Sequence, residues 1–411
     1  MRFPSLAGLA TVCLLSACQT PPHSPVVDQT TRVVVASPRA LPPAPPVATR
    51  PPPPVTEPPE EPVVEEASRF ASVEGWEGAD ADPALAAFRL SCTAWSGADD
   101  RDMLAPALPQ YGTFGDWREA CAAAEGAGDA KAFFEAHFTP VTLSTPEAEA
   151  GLLTGYYEPE IAVRRVPTPE FSEPVLARPG DPEVQALPRR ELGPRSSRVI
   201  AYGRPVDVFF MQVQGSGRVR FRDGLTLRAA FAGHNGRPYT SIGRVLVERG
   251  EMELSAASKG AIERWMRESG PEASRELMDS NARYVFFEEQ SVPSGGATGP
   301  QGAMGVPLTP MGSVALDPRY HPYGTVAVLR TTLPERAGDF RGREATVVVV
   351  GQDTGGAIRG PLRGDLYFGS GAAAGELAGV MKHGVRWTLL LPRGLGERSV
   401  AGVDAGMRVE G

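Results

Sequence analysis

A single carboxyl group, Asp353, has the surroundings in this sequence that most favour chemistry. It directly follows the segment Val347–Gln352, which begins with four successive valines that do not alternate with polar residues. Such a run is typical of a β-strand buried on both faces. Gly355 and Gly356 follow, and glycine permits positive φ and close backbone approach. A carboxyl group between a buried strand and a glycine turn is suited to act as an acid of raised pKa, or it simply caps the turn.

Further polar residues that suit ligand binding lie upstream. The sequence predicts a strand over Val206–Gln214, which ends in Gly215-Ser216-Gly217. Gln212, Gln214 and Ser216 would then present hydrogen-bonding groups at the strand end, although polar residues are ordinary there. The Gly-Ser-Gly sequence lacks the spacing of a serine-nucleophile turn. Cys and His residues are not spaced as zinc ligands, so we expect neither a metal nor another cofactor.

The elements that must position these groups change in type along the chain. Residues 80–138 carry apolar side chains at helical spacing, with a capping-box pair at Thr113 and Asp116. From residue 152 onward, short strand-like segments alternate with Gly and Pro turns, apart from a helix predicted over Ser255–Ser269. This order predicts a mainly β fold, a barrel or a sandwich, with helices in its N-terminal part.

The first residues resemble a bacterial export signal. An apolar run over Leu6–Ala17 is shorter than the ~20 residues that span a bilayer, and it ends in small residues before Cys18. This pattern resembles a lipobox, which implies removal of residues 1–17 and attachment of lipid to Cys18. The alternative is an ordinary secretory signal peptide that is cut nearby. Because Gln19 rather than Asp follows the cysteine, the lipoprotein sorting rule implies the periplasmic face of the outer membrane.

The next segment and the overall composition narrow the class of protein. Residues 18–67 are rich in Pro and Glu, which favours an extended, disordered tether. The 411-residue chain has a net charge of −8, which gives no indication of nucleic-acid binding. Of the four Cys residues, Cys92 and Cys121 remain in the expected folded part. An oxidising compartment permits a disulfide between them, but two free thiols fit the sequence equally well.

Five motifs in the same order resemble the membrane-bound lytic murein transglycosylase A family between Tyr156 and Leu391. They are Thr154–Pro159, Gln212–Gly217, Tyr239–Arg244, Tyr284–Phe287 and a three-aspartate set at Asp317, Asp353 and Asp365. The resemblance implies two domains with a groove between them, a double-psi β-barrel and a smaller β-barrel inserted in sequence. It places the N-terminal helical part of the main domain at 68–157, the insert at 158–282, the catalytic part of the double-psi barrel at 283–393 and a tail at 394–411.

The same resemblance implies a lyase reaction on peptidoglycan. Members of the family cleave the β-1,4 bond between N-acetylmuramic acid and N-acetylglucosamine without water. The muramyl 6-hydroxyl attacks its own C1 and leaves a 1,6-anhydro end. An ordinary glycosidase needs a second carboxyl group to activate water or to act as nucleophile, whereas an intramolecular hydroxyl needs only one acid. The family pattern assigns that acid to Asp353, which would first donate a proton and then accept one.

The groove is also expected to contain groups that bind the sugars. We expect these contacts from the matched motifs and a nearby glycine-rich loop, namely from Tyr156, Tyr157, Gln212, Gln214, Ser216 and Gly305. Packing is the alternative for at least one of the two tyrosines. Asp317 and Asp365 are expected mainly to frame the barrel, with direct substrate contact as the alternative. The implied partners are peptidoglycan glycan strands, the outer membrane through lipidated Cys18, and other cell-wall enzymes, with the protein itself a monomer.

Two other functions fit parts of the same pattern. Asp353-Thr354-Gly355 matches the triplet of aspartic proteases. That chemistry needs two carboxyl groups that share a proton, so a homodimer would be required. A module that binds glycan without cleaving it would keep the groove, although the presence of Asp353 argues against it.

Overall fold

In this computed structural model, the described part of the chain covers residues 63–67, 69–144, 150–292 and 299–396. The predicted signal peptide, Cys18 and the predicted tether up to residue 62 lie outside the described residues, as does the predicted tail from residue 397. Within the described ranges, none of the helices combines the length and the apolar character that a membrane crossing requires.

Strands dominate the described chain, and helices precede and interrupt them. The strands are β1 Val63–Ala67, β2 Phe138–Ser144, β3 Gly151–Glu158, β4 Glu160–Arg164, β5 Glu173–Leu176, β6 Val199–Gly203, β7 Gly217–Arg220, β8 Thr226–His234, β9 Val285–Ser291, β10 Ser313–Ala315, β11 Val326–Pro334, β12 Gly342–Asp353, β13 Arg363–Ser370 and β14 Lys382–Pro392. The helices are α1 Asp82–Trp95, α2 Phe114–Gly126, α3 Ala130–His137, α4 Pro182–Gln185, α5 Pro205–Gln214, α6 Ile242–Glu248, α7 Lys259–Asp279 and α8 Ala372–Ala378.

Six strands of the larger sheet close into a barrel. The sheet has the order β1-β2-β14-β11-β12-β10-β13-β3, and β3 also pairs with β14, which completes a ring. Within the ring, β10 is parallel to β12 and β3 is parallel to β13. A closed sheet leaves its ring strands without a free edge, so each is held on both sides. This closure gives the ends of β3, β12 and β13 fixed relative positions.

The central strand β12 is the strand predicted from the valine run, and its buried character is confirmed. Val348, Val349 and Val350 are fully buried. They belong to one apolar cluster with Phe88 of α1 and Trp117 of α2. The N-terminal helices therefore cover the outside of the barrel, which explains why β12 carries apolar residues toward both faces.

The second sheet forms the insert. Its order is β5-β6-β4-β7-β8-β9, and a bridge from Ala177 to Phe287 of β9 brings its two outer strands together. Its core is separate from that of the larger barrel and includes Val163, Val175 and Val219. The chain is therefore mainly β with N-terminal helices, with two barrel-like sheets, as predicted.

One predicted strand is wrong. Val206–Gln214 lies in the helix α5. Pro205 occupies its first turn, and Gly215 ends it with a left-handed φ of 87°. Both are typical signals of helix boundaries. A short apolar run does not reveal its own period, so the flanking residues carried the information that the run lacked.

Three predicted boundaries also differ from the structure. The helix predicted over Ser255–Ser269 is α7, which continues beyond a kink at Gly270. Strand β9 pairs with β8, so the insert extends past its predicted end at residue 282. Strand β1 falls within the predicted tether but pairs with β2, so the tether prediction is wrong for these residues. The end of the insert and the end of the tether both depend on strand pairing between distant segments, which local composition cannot predict.

Cys92 of α1 and Cys121 of α2 form a disulfide across a sequence separation of 29 residues. A cross-link of this span restricts the unfolded chain and stabilises the fold by about 3 kcal/mol. We expect the double variant Cys92→Ala/Cys121→Ala to lose about that much free energy of unfolding, measured by urea denaturation. Reductant should destabilise the wild type and leave the double variant unchanged. Equal wild-type stability with and without reductant would contradict this expectation.

Candidate active site

A cleft of about 940 Å³ is lined by residues of both sheets and of α5. Most of the predicted site residues line it, namely Tyr156, Gln212, Gln214, Ser216, Gly305, Asp353 and Asp365. These residues come from distant parts of the sequence, so it is the two-barrel fold that brings them together.

Asp353 is the last residue of β12, and it lies half-buried at the cleft. The preceding residue, Gln352, is fully buried and anchors this strand end. Its side-chain amide donates to the carbonyl oxygen of Ala87 at 2.7 Å and to Ser91 Oγ at 2.8 Å, both in α1. Its side-chain oxygen accepts from Ser313 Oγ of β10 at 2.7 Å. The position of Asp353 therefore depends on a fully satisfied buried polar network.

The carboxyl group of Asp353 accepts hydrogen bonds from neutral donors. The Tyr156 hydroxyl donates to Oδ2 at 2.9 Å, and the backbone N–H of Ala303 donates to Oδ1 at 3.0 Å. Gly302 permits this approach, because a Cβ there would lie 2.5 Å from the carbonyl oxygen of Gln352. Burial raises the pKa of Asp353 above its ordinary value, while hydrogen bonds from the next backbone amide and from these two donors oppose the rise.

A second carboxyl group, Asp365 of β13, shares the cleft. It accepts a hydrogen bond from Thr154 Oγ1 at 2.5 Å, and Arg363 donates to the same Oγ1 at 2.7 Å. Burial raises the pKa of Asp365 to about 6, against the opposing effects of Arg363 and Thr154, and the charge of Asp353 adds to the rise. The two carboxyl groups differ in their neighbours, because a cation lies beside Asp365 while neutral donors contact Asp353.

Tyr157 and Asp317 do not line the cleft, so the structure gives no support to the predicted sugar contact of Tyr157 or to the alternative of substrate contact for Asp317. Adjacent residues of a strand point to opposite faces, so Tyr157 turns away from the cleft that Tyr156 faces. Its ring packs against α8, where a Cβ on Gly375 would lie 2.5 Å from it. Asp317 is fully buried and accepts a hydrogen bond from the Gly360 amide at 2.9 Å, which stabilises the loop after β12.

The pKa of Asp317 differs in direction from those of the two cleft carboxyl groups. Burial alone would raise it, but hydrogen bonds from Arg319 and from the Gly360 amide outweigh burial and hold the pKa below its ordinary value. Asp317 is therefore ionised in a fixed structural ion pair with Arg319. Of the three aspartates in the motif, two lie in the cleft and one stabilises a loop.

The last turn of α5 lies against the cleft. Gln212 is buried there, and its side-chain oxygen accepts a hydrogen bond from the guanidinium of Arg189. Arg189 also donates to the carbonyl oxygens of Asn281 at 3.0 Å and Arg283 at 2.6 Å. Gln214 accepts a hydrogen bond from a backbone N–H of β3 at 3.0 Å. Arg189 thus positions Gln212, a role that no local feature of its Arg- and Pro-rich surroundings indicated.

Sequence reasoning missed other residues of the cleft. Phe231 of β8 lies in it with 51% of its surface exposed, which is unusual for a large apolar side chain. An exposed ring of this kind presents a flat apolar face. Tyr239, His234, Arg283 and Arg359 also line the cleft. None of these residues stands in a pattern that distinguishes it from core or surface residues of the same type.

Among the described residues, no group of three or more His, Cys, Asp or Glu side chains is arranged to hold a metal ion.

The fold and the cleft define the class of this protein as a double-psi β-barrel that carries a smaller inserted barrel. Residues 185–288 match the family model of the MltA specific insert domain, and residues 312–391 match that of the 3D domain. The chain belongs to the membrane-bound lytic murein transglycosylase A family.

The chain is similar in sequence and in structure to individual proteins of this family. The chain is 38% identical over 250 residues to "Membrane-bound lytic murein transglycosylase A" of Escherichia coli strain K12, across 59% of this chain and 66% of that protein, just under two thirds of its length. A membrane-bound lytic murein transglycosylase from Agrobacterium tumefaciens superposes with a TM-score of 0.69 at 28% identity, covering 81% of this chain and 99% of that one. E. coli MltA with bound chitohexaose has a TM-score of 0.64 at 28% identity, covering 81% and 95%.

The raised pKa of Asp365 makes the stability of the fold depend on pH. Its folded pKa of about 6 exceeds an unfolded value of about 3.9, so this group favours the folded state while protonated. That contribution is complete below about pH 4 and is lost as the pH rises through about 6. Asp365→Asn keeps an oxygen acceptor for Thr154 and does not titrate.

We therefore expect Asp365→Asn to gain stability relative to the wild type as the pH rises. The gain should reach about 1–3 kcal/mol above about pH 7 and disappear near about pH 4, measured by urea unfolding across this range. A difference in free energy of unfolding that stays constant from pH 4 to about 8 would show that Asp365 titrates normally.

Proposed function

We propose that this chain is a lytic transglycosylase that cleaves the β-1,4 bond between N-acetylmuramic acid and N-acetylglucosamine in peptidoglycan. The observation that carries the proposal is the half-buried carboxyl group of Asp353, which faces the cleft and contacts neutral donors. Such a group can hold a proton at a pH where an exposed aspartate is ionised. The names of the relatives, and the chitohexaose bound to one of them, support a glycan as the occupant of the cleft.

In the proposed reaction, Asp353 acts twice. Protonated Asp353 donates its proton to the glycosidic oxygen as the bond from that oxygen to muramyl C1 breaks. The resulting carboxylate then accepts the proton of the muramyl 6-hydroxyl, whose oxygen bonds to C1 and closes the 1,6-anhydro ring. The proton lost in the first step is thus restored in the second, and water is not consumed. Because the attacking hydroxyl belongs to the substrate, its proximity replaces a second catalytic carboxyl group.

The neighbours of Asp353 suit both protonation states. Burial favours the neutral acid before the first step. The hydroxyl of Tyr156 and the amide of Ala303 donate to the carboxylate oxygens and stabilise the anion between the two steps. Since these opposing effects act on one group, Asp353 can donate and accept without a large imbalance in free energy.

The other cleft residues are proposed to hold the sugars. Gln212, Gln214 and Ser216 supply hydrogen-bonding groups for N-acetyl and hydroxyl substituents from the end of α5. Phe231 presents an exposed ring on which a sugar face can pack. Gly305 lies in the loop that also supplies the Ala303 amide, so this loop forms the cleft floor beside the acid.

A second candidate function is hydrolysis of the same bond, which the presence of Asp365 in the cleft supports. A hydrolytic glycosidase uses two carboxyl groups, and Asp365 places a second one in this cleft. Its contact with Thr154 and its nearness to Arg363 suit a fixed electrostatic role better than activation of water. An aspartic protease is not supported, because its two carboxyl groups share a proton, and the hydrogen bonds found within the described residues do not join Asp353 to Asp365.

The membrane attachment of this protein is also a proposal. The export signal and Cys18 in the sequence, together with the words "membrane-bound" in the names of its relatives, support a lipid anchor. The residue after the cysteine, Gln19, supports the periplasmic face of the outer membrane as its location. Lipid attached to Cys18 would keep the enzyme close to the peptidoglycan that it cleaves.

The variant Asp353→Asn tests the assignment of the acid. It keeps the shape of the side chain but removes the transferable proton, so we expect release of 1,6-anhydromuropeptides from purified sacculi to fall by about 10³-fold or more. Sedimentation with sacculi should be unchanged. Asp102→Asn, at an exposed position outside the cleft, is the matched control and should release products at the wild-type rate.

The companion variant Asp365→Asn separates the two carboxyl groups. Under the proposal it retains release of 1,6-anhydro products, with an altered pH dependence. Undiminished release by Asp353→Asn would remove the assignment of Asp353. Equal loss in both variants would instead favour a mechanism that requires two carboxyl groups.

A further inference from the structure

The cleft contains positive charge that the proposed reaction does not use. Four arginines line it, namely Arg189, Arg283, Arg359 and Arg363. His234 also lines it, but burial lowers the pKa of its imidazole, so it adds no charge near neutral pH. The acidic residues of its lining are Asp353 and Asp365, and burial raises the pKa of both. A cleft with this lining attracts an anionic ligand more strongly than a neutral one.

Arg283 lies at the start of the segment that leads into β9, and its position is well defined. Its backbone oxygen accepts a hydrogen bond from Arg189 at 2.6 Å, and its backbone N–H donates to Asn281 Oδ1 at 3.3 Å. Its guanidinium lies against the loop after Asp353, where a Cβ on Gly356 would be 2.8 Å from Nη1. In the described ranges of the chain, this guanidinium does not form an ion pair with an acidic side chain.

Arg359 approaches the same region from the larger barrel. Its Nη1 donates to the carbonyl oxygens of Gly355 at 3.1 Å and Ile358 at 2.8 Å, and among the described residues its other guanidinium nitrogens have no hydrogen-bond acceptor. Both guanidinium groups therefore lie against the same Gly355-Gly356 turn, Arg359 through its bond to Gly355 and Arg283 through its approach to Gly356. The charge of Arg359 also contributes to lowering the pKa of Arg283, after the larger effect of burial. Arg359 is also without an acidic partner in the part of the chain that the structure describes.

Two guanidinium groups that meet from the two walls of the cleft repel each other, and an anion bound between them offsets that repulsion. A planar guanidinium donates two parallel hydrogen bonds and therefore matches a carboxylate. The N-acetyl sugars of a glycan backbone are neutral. In peptidoglycan the carboxylates are on the lactyl arm of the muramyl residue or on the stem peptide attached to it, so the arm is the part of the substrate that these cations would recognise.

We propose that Arg283 and Arg359 form a subsite that binds a carboxylate carried by the lactyl arm of a muramyl residue. The inference rests on the proposed function for the identity of the glycan, and it adds the chemical group of that glycan that the cleft recognises. In a strand that carries peptides, the carboxylate belongs to the stem peptide. In a strand freed of peptides by an amidase, it is the lactyl carboxylate itself.

The test compares three substrates: peptide-bearing glycan strands, amidase-treated strands, and strands whose carboxylates have been converted to amides with carbodiimide and ammonia. The variants are Arg283→Gln and Arg359→Gln, with Arg267→Gln of α7, exposed and outside the cleft, as the matched control. Both kcat/KM for release of 1,6-anhydro ends and the equilibrium Kd for each strand are measured.

We expect each cleft variant to lower kcat/KM and weaken binding about 10-fold on strands that carry the recognised carboxylate. On amidated strands, each variant should match the wild type, which also shows that it is folded. A loss confined to peptide-bearing strands assigns the carboxylate to the stem, and a loss confined to amidase-treated strands assigns it to the lactyl group. The control variant should match the wild type on all three substrates.

Two results would overturn the subsite. One is an equal loss on amidated and carboxylate-bearing strands, which would indicate a general structural role. The other is wild-type behaviour of both cleft variants on every substrate. If the wild type binds the strands but releases no anhydro ends, the proposed function fails, and the Kd comparison still decides whether the two arginines recognise a carboxylate.

Discussion

The conflict between burial and hydrogen bonding at one carboxyl group is the constraint on which the rest of the structure depends. Asp353 lies where β12 leaves the packed barrel, so its charge is poorly solvated. The Tyr156 hydroxyl and the Ala303 amide donate hydrogen bonds to it, so its anionic form is also stabilised. The closed ring, the buried Gln352 and the loop that contains Gly302 all serve to hold this balance in place. A looser strand end would admit water and return the group to an ordinary pKa.

The insert matters because it supplies the opposite wall of the cleft. The chain leaves the larger barrel at Glu158, which is fully buried. Arg218 of β7 and Arg228 of β8 donate to its carboxylate at 2.9 and 2.5 Å, and Ser370 of β13 donates at 2.7 Å. These bonds join both sheets through one side chain. A buried carboxylate that loses a partner is strongly destabilised, so the junction resists changes in the distance between the cleft walls.

The sequence allowed prediction of features that local composition determines. The valine run identified β12 and its carboxyl end, and Thr113 with Asp116 does form the predicted capping box. Local signals failed where distant segments decide the outcome. The apolar run in α5 has no readable period, and strand β1 is defined by its pairing with β2. Arg189, Phe231 and Arg283 become cleft residues only through the fold, so their surroundings in the sequence could not identify them.

The family resemblance predicted a groove between two domains, and the structure identifies the residues that line it. Tyr156 faces the cleft and Tyr157 does not, because neighbouring residues of a strand point apart. Asp365 enters the cleft, whereas Asp317 stabilises a loop. The presence of two carboxyl groups in one cleft makes the identity of the attacking oxygen the decisive question, because a second carboxyl group is what hydrolysis needs and an intramolecular reaction does not.

The most direct test of the central claim, that one acid suffices because the substrate supplies its own nucleophile, is digestion of purified sacculi in water enriched in oxygen-18. Mass spectrometry of the released muropeptides then identifies the oxygen bonded to muramyl C1. The account predicts 1,6-anhydro ends that carry none of the heavy isotope. Reducing muramyl ends that carry one heavy oxygen, and that form only when the enzyme is present, would show that water is the nucleophile and would contradict the account.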